Sequence, residues 1–168
     1  MLFQGRQATF EQAVDSNFGG LYRYAYWLCR NRWQAEDLVQ ESLLRAWRVW
    51  PALREERALK SWLFTIVHRE HLRAVARAPR MESDFSVDEP AYDPDPAGAL
   101  DMDQALRGLP EDSREALLLQ VLGGFSCAEI ARVLGASEGG VMTRLTRARQ
   151  TLRRRLGAAD ATKRARHA

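Results

Sequence analysis

The feature that most constrains the fold is a pair of helix signals separated by a glycine turn. Residues 125–156 read FSCAEIARVLGASEGGVMTRLTRARQTLRRRL. Ser126 is of a type that caps helices, and Glu129, three residues later, completes the capping-box pattern. Gly135 supplies the left-handed backbone that a tight turn needs, and Ser137 can cap a second, longer helix. The pattern predicts a helix-turn-helix that ends in a basic helix.

The second of these helices divides into two faces at 100° per residue. Its apolar stripe, which must face a core, consists of Val141, Leu145, Ala148, Leu152 and Leu156. The opposite face holds Thr143, Thr146, Arg147, Gln150 and Arg154, and the flanks hold Arg144, Arg149, Arg153 and Arg155. A face of Thr, Gln and Arg suits phosphates and base edges. The alternative is a solvated basic helix, but the preceding short helix and glycine turn favour DNA binding.

Proline content divides the chain into three parts. Residues 10–78 are dense in apolar residues at helical spacing, residues 79–98 carry four prolines without periodicity, and residues 99–156 are helical again. No alternating apolar–polar run is long enough for a convincing strand. We therefore expect an all-α protein with two small helical domains, 1–78 and 99–156, joined by the acidic Pro-rich linker 79–98. The basic tail, 157–168, is expected to be frayed.

Glycine and proline also predict where individual helices end. The stripe formed by Phe10, Val14 and Phe18 should stop at Gly19–Gly20. A later helix, rich in Leu and Trp, should end at Pro51, and Gly123–Gly124 should end the helix that precedes Ser126. A stripe from Leu59 to Leu72 is expected to be core-facing, with Trp62 packed inside rather than stacking on a base.

The middle of the chain has an uneven charge. From Met81 to Leu106 there are eight Asp or Glu residues and no Lys, Arg or His. A solvated, flexible linker is one interpretation, favoured by the Pro and Asp content. The other is an acidic strand that imitates nucleic acid or lies in a basic channel of a partner.

Composition and motif content narrow the class of function. The 168 residues carry a net charge of +3 and contain no apolar run near the ~20 residues that span a bilayer. No signal-peptide pattern precedes the first helix, and Cys29 and Cys127 are expected to be buried thiols in a reducing cytoplasm. His68 and His71 could ligate a metal, but no third ligand presents itself. No phosphate loop or nucleophile–base pattern indicates an enzyme or a cofactor.

Three segments together resemble one protein family. DLVQESLLRAW at 37–47 resembles the first conserved domain of bacterial RNA polymerase sigma factors of the extracytoplasmic-function (ECF) family. KSWLFTIVHREHLR at 60–73 resembles that domain's promoter-melting segment, and residues 109–156 are similar to the family's C-terminal helix-turn-helix domain. The resemblance covers about residues 10–156. The order and spacing of the three segments make the match far more specific than any one segment alone.

The resemblance implies a dissociable, non-enzymatic, cytoplasmic subunit that directs RNA polymerase to promoters. Its partners would be promoter DNA, the clamp helices of the largest subunit and flap region of core RNA polymerase, and an anti-sigma factor. No insertion into a membrane is expected. The acidic linker would pass near the polymerase active-site and RNA-exit channels. The residues implied in polymerase docking are Asp37, Gln40, Glu41 and Arg45.

The resemblance also implies two sets of DNA contacts. The residues expected at the minus-10 element are Lys60, Ser61, Thr65, His68, Arg69 and Arg73. The residues expected at the minus-35 element are Ser137, Thr143, Arg144, Thr146, Arg147, Gln150 and Arg154. Three positions depart from the family's pattern: Arg69 stands for a common Asn, Arg73 for an acidic residue and Gly140 for Thr. Alternative interpretations are a free-standing helix-turn-helix regulator, an enzyme acting on nucleic acid and a pure interaction module.

Overall fold

The computed structural model describes the backbone of residues 2–50, 58–78 and 96–166, and the side chains within 7–50, 58–78 and 102–158. Over these ranges the chain forms helices and no strand. The helices are α1 (Leu2–Cys29), α2 (Arg32–Val49), α3 (Leu59–Arg77), α4 (Pro96–Arg107), α5 (Glu111–Gly123), α6 (Cys127–Leu134) and α7 (Glu138–Arg166). The prediction of an all-α fold with a helix-turn-helix is confirmed.

Helices α1, α2 and α3 pack against one another as the first domain. Leu21, Ala25 and Val67 are almost fully buried at their common centre. Asn31 begins α2 by accepting a hydrogen bond from the Gln34 backbone N–H at 3.0 Å, which satisfies a donor that the first helical turn leaves open. The last helical residue of α2 is Val49, in agreement with the stop expected at Pro51.

The predicted break at Gly19–Gly20 is wrong, because α1 continues through both glycines to Cys29. A Cβ at Gly20 would lie 3.3 Å from the backbone oxygen of Leu122 in α5, whereas nothing lies within 4 Å of a Cβ at Gly19. Gly20 thus allows a close approach of another helix, and tertiary packing outweighs its low helix propensity. Two residues of the predicted core stripes, Phe18 and Leu72, are exposed.

The local signals of the second domain are confirmed. Gly124 ends α5 with φ of 68°, and Gly135 ends α6 with φ of 62°. Ser126 and Glu129 form the capping box at the start of α6, with both reciprocal hydrogen bonds present. The Ser137 hydroxyl accepts the Gly140 backbone N–H at 3.1 Å at the start of α7. These caps fix the turn between the two helices of the motif.

The frayed tail expected after Leu156 is a second correction, because α7 continues as a helix to Arg166. The segment is rich in Ala, Arg and Lys, which are favourable helix formers, so the helix extends beyond its packed face. Most of the predicted linker, residues 79–95, lies outside the described residues, and α4 begins at Pro96, inside the predicted linker.

The two domains pack on each other through α1 and α3 on one side and α5 and α6 on the other. The rings of Phe64 and Phe125 meet edge to face at 5.0 Å between centroids. Arg30, with a left-handed backbone at the end of α1, reaches Asp103 of α4 at 3.4 Å. The hydrophobic core therefore runs continuously from one domain into the other.

Candidate nucleic-acid and polymerase interfaces

The face of α7 predicted to read DNA is exposed. Val141, Leu145 and Ala148 are at most 2% exposed, which fixes the rotation of the helix against the second domain. The exposed residues of the opposite face are Thr143, Thr146, Arg147, Gln150 and Arg154, and Ser137, which caps the start of the helix, is also exposed. The arrangement presents a strip of long polar side chains to solvent, as a helix that enters a DNA groove requires.

The predicted DNA-contacting side chains of α7 differ in how firmly they are held. The Thr143 hydroxyl donates to the Gly139 carbonyl and the Thr146 hydroxyl donates to the Met142 carbonyl, at 3.0 and 2.9 Å. Their remaining lone pairs can only accept hydrogen bonds. Arg144 is half-buried and pairs with Asp112 at 3.3 Å. The long side chains of Arg147, Gln150 and Arg154 are thus the better donors toward DNA.

Two of the flanking arginines of α7 make surface contacts with the rest of the second domain. Arg149 donates to the side-chain oxygen of Gln120 in α5, and Arg155 donates to the backbone carbonyl of Gly108 at 3.0 Å. Both guanidinium groups remain exposed and their partners are neutral, so these two arginines keep their charge at the surface while their direction is fixed by the hydrogen bonds. The first turn of α7, with Gly139 and Gly140, offers DNA few side chains.

The residues predicted at the minus-10 element all lie on α3, but in different environments. Lys60 and Arg69 are exposed. Ser61 and Thr65 are half-buried, and their hydroxyls donate to the carbonyls of Ala58 and Ser61 at 3.1 and 2.8 Å. His68 is only 8% exposed, because it faces the second domain.

His68 belongs to a polar cluster between the domains, which sequence reasoning missed. Its Nδ1 lies 2.7 Å from Oε1 of Glu115 in α5, and the Tyr24 hydroxyl of α1 donates to the same oxygen at 2.6 Å. We call these residues the Tyr24–His68–Glu115 cluster. Glu115 precedes Leu118 and Leu119 by three and four residues, so its place on an apolar helix face was a readable signal.

Burial and hydrogen bonding oppose each other at Glu115. Burial alone raises the pKa of its carboxyl group, but hydrogen bonds from His68 and Tyr24 outweigh burial, and the pKa lies below its ordinary value. Burial, together with the Glu115 charge, raises the pKa of Tyr24 well above its ordinary value. The cluster therefore contains a carboxylate that is hydrogen-bonded to a neutral phenol.

A second polar cluster links a residue predicted to dock polymerase with a residue predicted to contact the minus-10 element. Glu70 of α3 is buried, and its Oε1 lies 2.7 Å from Nε of Arg45 in α2. The same oxygen accepts a hydrogen bond from Arg73 at 2.5 Å. Arg45 was predicted to dock polymerase and Arg73 to contact DNA, so one buried carboxylate orients a residue from each set.

The remaining docking residues lie together on the outside of α2. Asp37, Gln40 and Glu41 are exposed, in agreement with a polar face that is open to a partner. Leu44, beside them on the same helix, is 60% exposed. An apolar side chain within a polar surface is common at protein interfaces, and sequence reasoning did not single it out.

Metal ligation gains no support within the described residues, where no three His, Cys, Asp or Glu side chains form a metal-binding group. His71 Nδ1 lies 3.9 Å from Cys29 Sγ. Burial lowers the pKa of His71 and raises the pKa of Cys29 to about 11, so the thiol stays protonated. None of the helices in the described residues combines the length and the apolar character that a span of the bilayer requires.

Comparisons with known proteins agree with this geometry. The Sigma-70 region 2 profile matches residues 13–81, and the Sigma-70, region 4 profile matches residues 99–152. The ECF RNA polymerase sigma factor SigM of Mycobacterium tuberculosis is 32% identical over 158 residues, covering 91% of this chain and 80% of that protein. EcfG of Rhodopseudomonas palustris, another ECF sigma factor, is 35% identical over 139 residues, covering 79% and 76%.

A solved structure gives the same result. The sigma factor RpoE of Bartonella quintana, crystallised with the anti-sigma factor NepR, matches with a TM-score of 0.71 and 29% identity. The match covers 88% of this chain and 96% of that chain. A helical region 2 followed by a helix-turn-helix region 4 defines a sigma-70-type protein. The chain belongs to the ECF family of RNA polymerase sigma factors.

Proposed function

We propose that this chain is an alternative sigma factor, which binds core RNA polymerase and directs it to a set of promoters. The observation that carries the proposal is the presence of region 2 and region 4 in one chain, in that order. The second region also carries an outward basic strip on its long helix. Promoter choice is the activity that needs both regions at once.

The two regions take different parts in this function. On α2, Asp37, Gln40 and Glu41 form an exposed polar surface for the clamp helices of polymerase. On α3, Lys60 and Arg69 supply positive charge toward the phosphates of the minus-10 element. The exposed strip of α7 lies in the major groove of the minus-35 element, where Arg and Gln can pair with base edges.

An anti-sigma factor is part of the proposal. RpoE is described in a complex with its anti-sigma factor, and this chain matches RpoE over most of its length. Residues that a sigma factor uses for polymerase and DNA are those that such a partner must cover. We infer that a partner of this class regulates the chain.

Transcription in vitro tests the proposed function. Core polymerase with this protein should produce run-off transcripts from some fragments of the parent genome, and core polymerase alone should not. A gel shift with the same fragments should show a specific complex only when both proteins are present. Tight, specific binding by the protein alone would instead identify a free-standing regulator.

Variants of the α7 strip locate the minus-35 contact. Arg147→Ala and Arg154→Ala should each weaken the polymerase–promoter complex. The loss is about 1–3 kcal/mol if the side chain contacts a base, and the slope of log K against log [salt] falls by about one if it contacts a phosphate. Arg23→Ala, an exposed arginine of α1, is the control of equal charge. If both α7 variants matched the control, the strip would be only a solvated face.

A further inference from the structure

Met142 is an exposed apolar residue on the part of α7 that carries the exposed strip. It is 57% exposed, and among the described residues of α7 it is the one large apolar residue that is exposed. Val141 and Leu145, on the neighbouring apolar stripe, are at most 2% exposed. Core packing therefore does not account for a methionine at this position.

Helical spacing places Met142 at the edge of the strip, next to its threonines. Thr146 lies one turn later on the same side, and its hydroxyl donates to the Met142 carbonyl at 2.9 Å. Thr143 follows Met142 directly, and its hydroxyl donates to the Gly139 carbonyl at 3.0 Å. Because both hydroxyl hydrogens are engaged by the helix backbone, the threonines offer a partner their methyl groups and acceptor lone pairs. Met142 and these methyl groups form an apolar part of a surface that is otherwise rich in arginine.

A thioether side chain discriminates among the groups that DNA presents. It has no hydrogen-bond donor and only a weak acceptor, so it gains nothing from a phosphate oxygen. Glu138, exposed one turn before Met142, adds a negative charge that repels phosphates on this side of α7. In the major groove, the apolar group on a base edge is the C5-methyl of thymine. Methionine is unbranched and polarizable, so it can follow the shape of such a group.

The first turn of α7 leaves space for this contact. Gly139 is exposed, and nothing lies within 4 Å of a Cβ placed on it. A residue without a side chain lets the backbone approach a ligand closely. The start of the helix can therefore lie near the base edges, within reach of the Met142 side chain.

We propose that Met142 contacts a thymine methyl group in the minus-35 element and thereby selects an A·T pair at one fixed position. The inference rests on the proposed function, because it places α7 in the major groove of that element. It adds to that function the base that one residue selects. The arginines of the strip supply affinity through charge, whereas Met142 supplies a preference that charge cannot give.

The test compares thymine with deoxyuridine, which lacks only the C5-methyl group. Synthetic copies of a promoter fragment that is active in run-off transcription carry deoxyuridine in place of each thymine of the minus-35 element in turn, on either strand. A gel shift measures binding of core polymerase together with this protein. The wild type should bind about fourfold more weakly when the contacted thymine is replaced, which is the factor expected for one buried methyl-sized group.

Variants of Met142 assign this sensitivity to the residue. Met142→Ala should bind the unmodified fragment more weakly by a similar factor and should not distinguish deoxyuridine from thymine, whereas Met142→Leu should keep the distinction. Its slope of log K against log [salt] should equal that of the wild type, because an uncharged side chain releases no counterion. Val121→Ala, at an exposed apolar residue of α5, is the matched control and should behave as wild type.

Three results would overturn the inference: equal binding of all fragments by the wild type, a sensitivity to deoxyuridine that persists in Met142→Ala, or a loss in Met142→Ala that is the same with every fragment. The last of these would indicate a contact with polymerase instead. If the wild type formed no specific complex with any promoter fragment, the proposed function would fail and the inference with it. A specific complex that is indifferent to deoxyuridine would reject the methyl contact alone.

Discussion

At the residue scale, Glu70 connects parts of the first domain that sequence reasoning assigned to separate tasks. It forms an ion pair with Arg45 and accepts a hydrogen bond from Arg73 while being 5% exposed itself. Each arginine is about half exposed, so solvent screens its ion pair, but the shared carboxylate depends on at least one of them. Substitution of either arginine will therefore disturb folding as well as contact with a partner.

Because two arginines share Glu70, single and double substitutions of these arginines should lower the free energy of unfolding by unequal amounts. Arg45→Ala and Arg73→Ala should each lower the free energy of unfolding by about 1 kcal/mol or less. The double variant should cost more than their sum, because it leaves a buried carboxylate without a cation. Urea denaturation measures these values, with Glu41→Ala on the exposed side of α2 as control. Strictly additive effects would mean that the arginines act independently.

At the element scale, features set by residues close together in the sequence were predicted, whereas features set by residues far apart were not. The capping box at Ser126, the left-handed glycines and the apolar stripe of α7 each depend on residues within a few turns, and each was predicted from sequence. The continuation of α1 through Gly20 depends on Leu122, about a hundred residues away. The contact of His68 with Glu115 was missed for the same reason, because Glu115 lies on a different domain.

The glycine pair at the start of α7 gives a prediction for a single helix. Gly139→Ala should raise the free energy of unfolding by about 0.5–1 kcal/mol, because the added Cβ meets open space and helix propensity improves. Gly140→Ala should gain less, because its Cβ would lie 3.0 Å from the capping oxygen of Ser137. Chemical denaturation compares the two variants. Equal stabilisation would mean that the Ser137 cap adjusts without cost.

At the scale of the whole molecule, Glu115 couples domain packing to pH. Its pKa is lowered in the folded protein, because hydrogen bonds from His68 and Tyr24 outweigh burial. The carboxylate therefore contributes stability above its unfolded pKa of 4.5, and this contribution is lost as the pH falls through the lower folded value. The nearby His71 interacts through its charge with Glu115, and also with Glu111.

Acid denaturation tests this coupling. Between about pH 6 and pH 3, the melting temperature of the wild type should fall more steeply than that of Glu115→Gln, which has no charge to lose. Glu111→Gln, the exposed residue on the same helix, should follow the wild type. Parallel curves for wild type and Glu115→Gln would mean that the Glu115 charge does not stabilise the packed form.

The contact between the domains joins two parts of one polypeptide, and this has a consequence for how the contact responds to concentration. A docked domain is present at an effective concentration set by the connecting chain, in the millimolar range for short flexible connections. Dilution or overproduction of the protein therefore leaves the ratio of packed to separated domains unchanged. A separate protein that covers either packing surface would have to compete with this local concentration, and its effect would depend on its own amount in the cell.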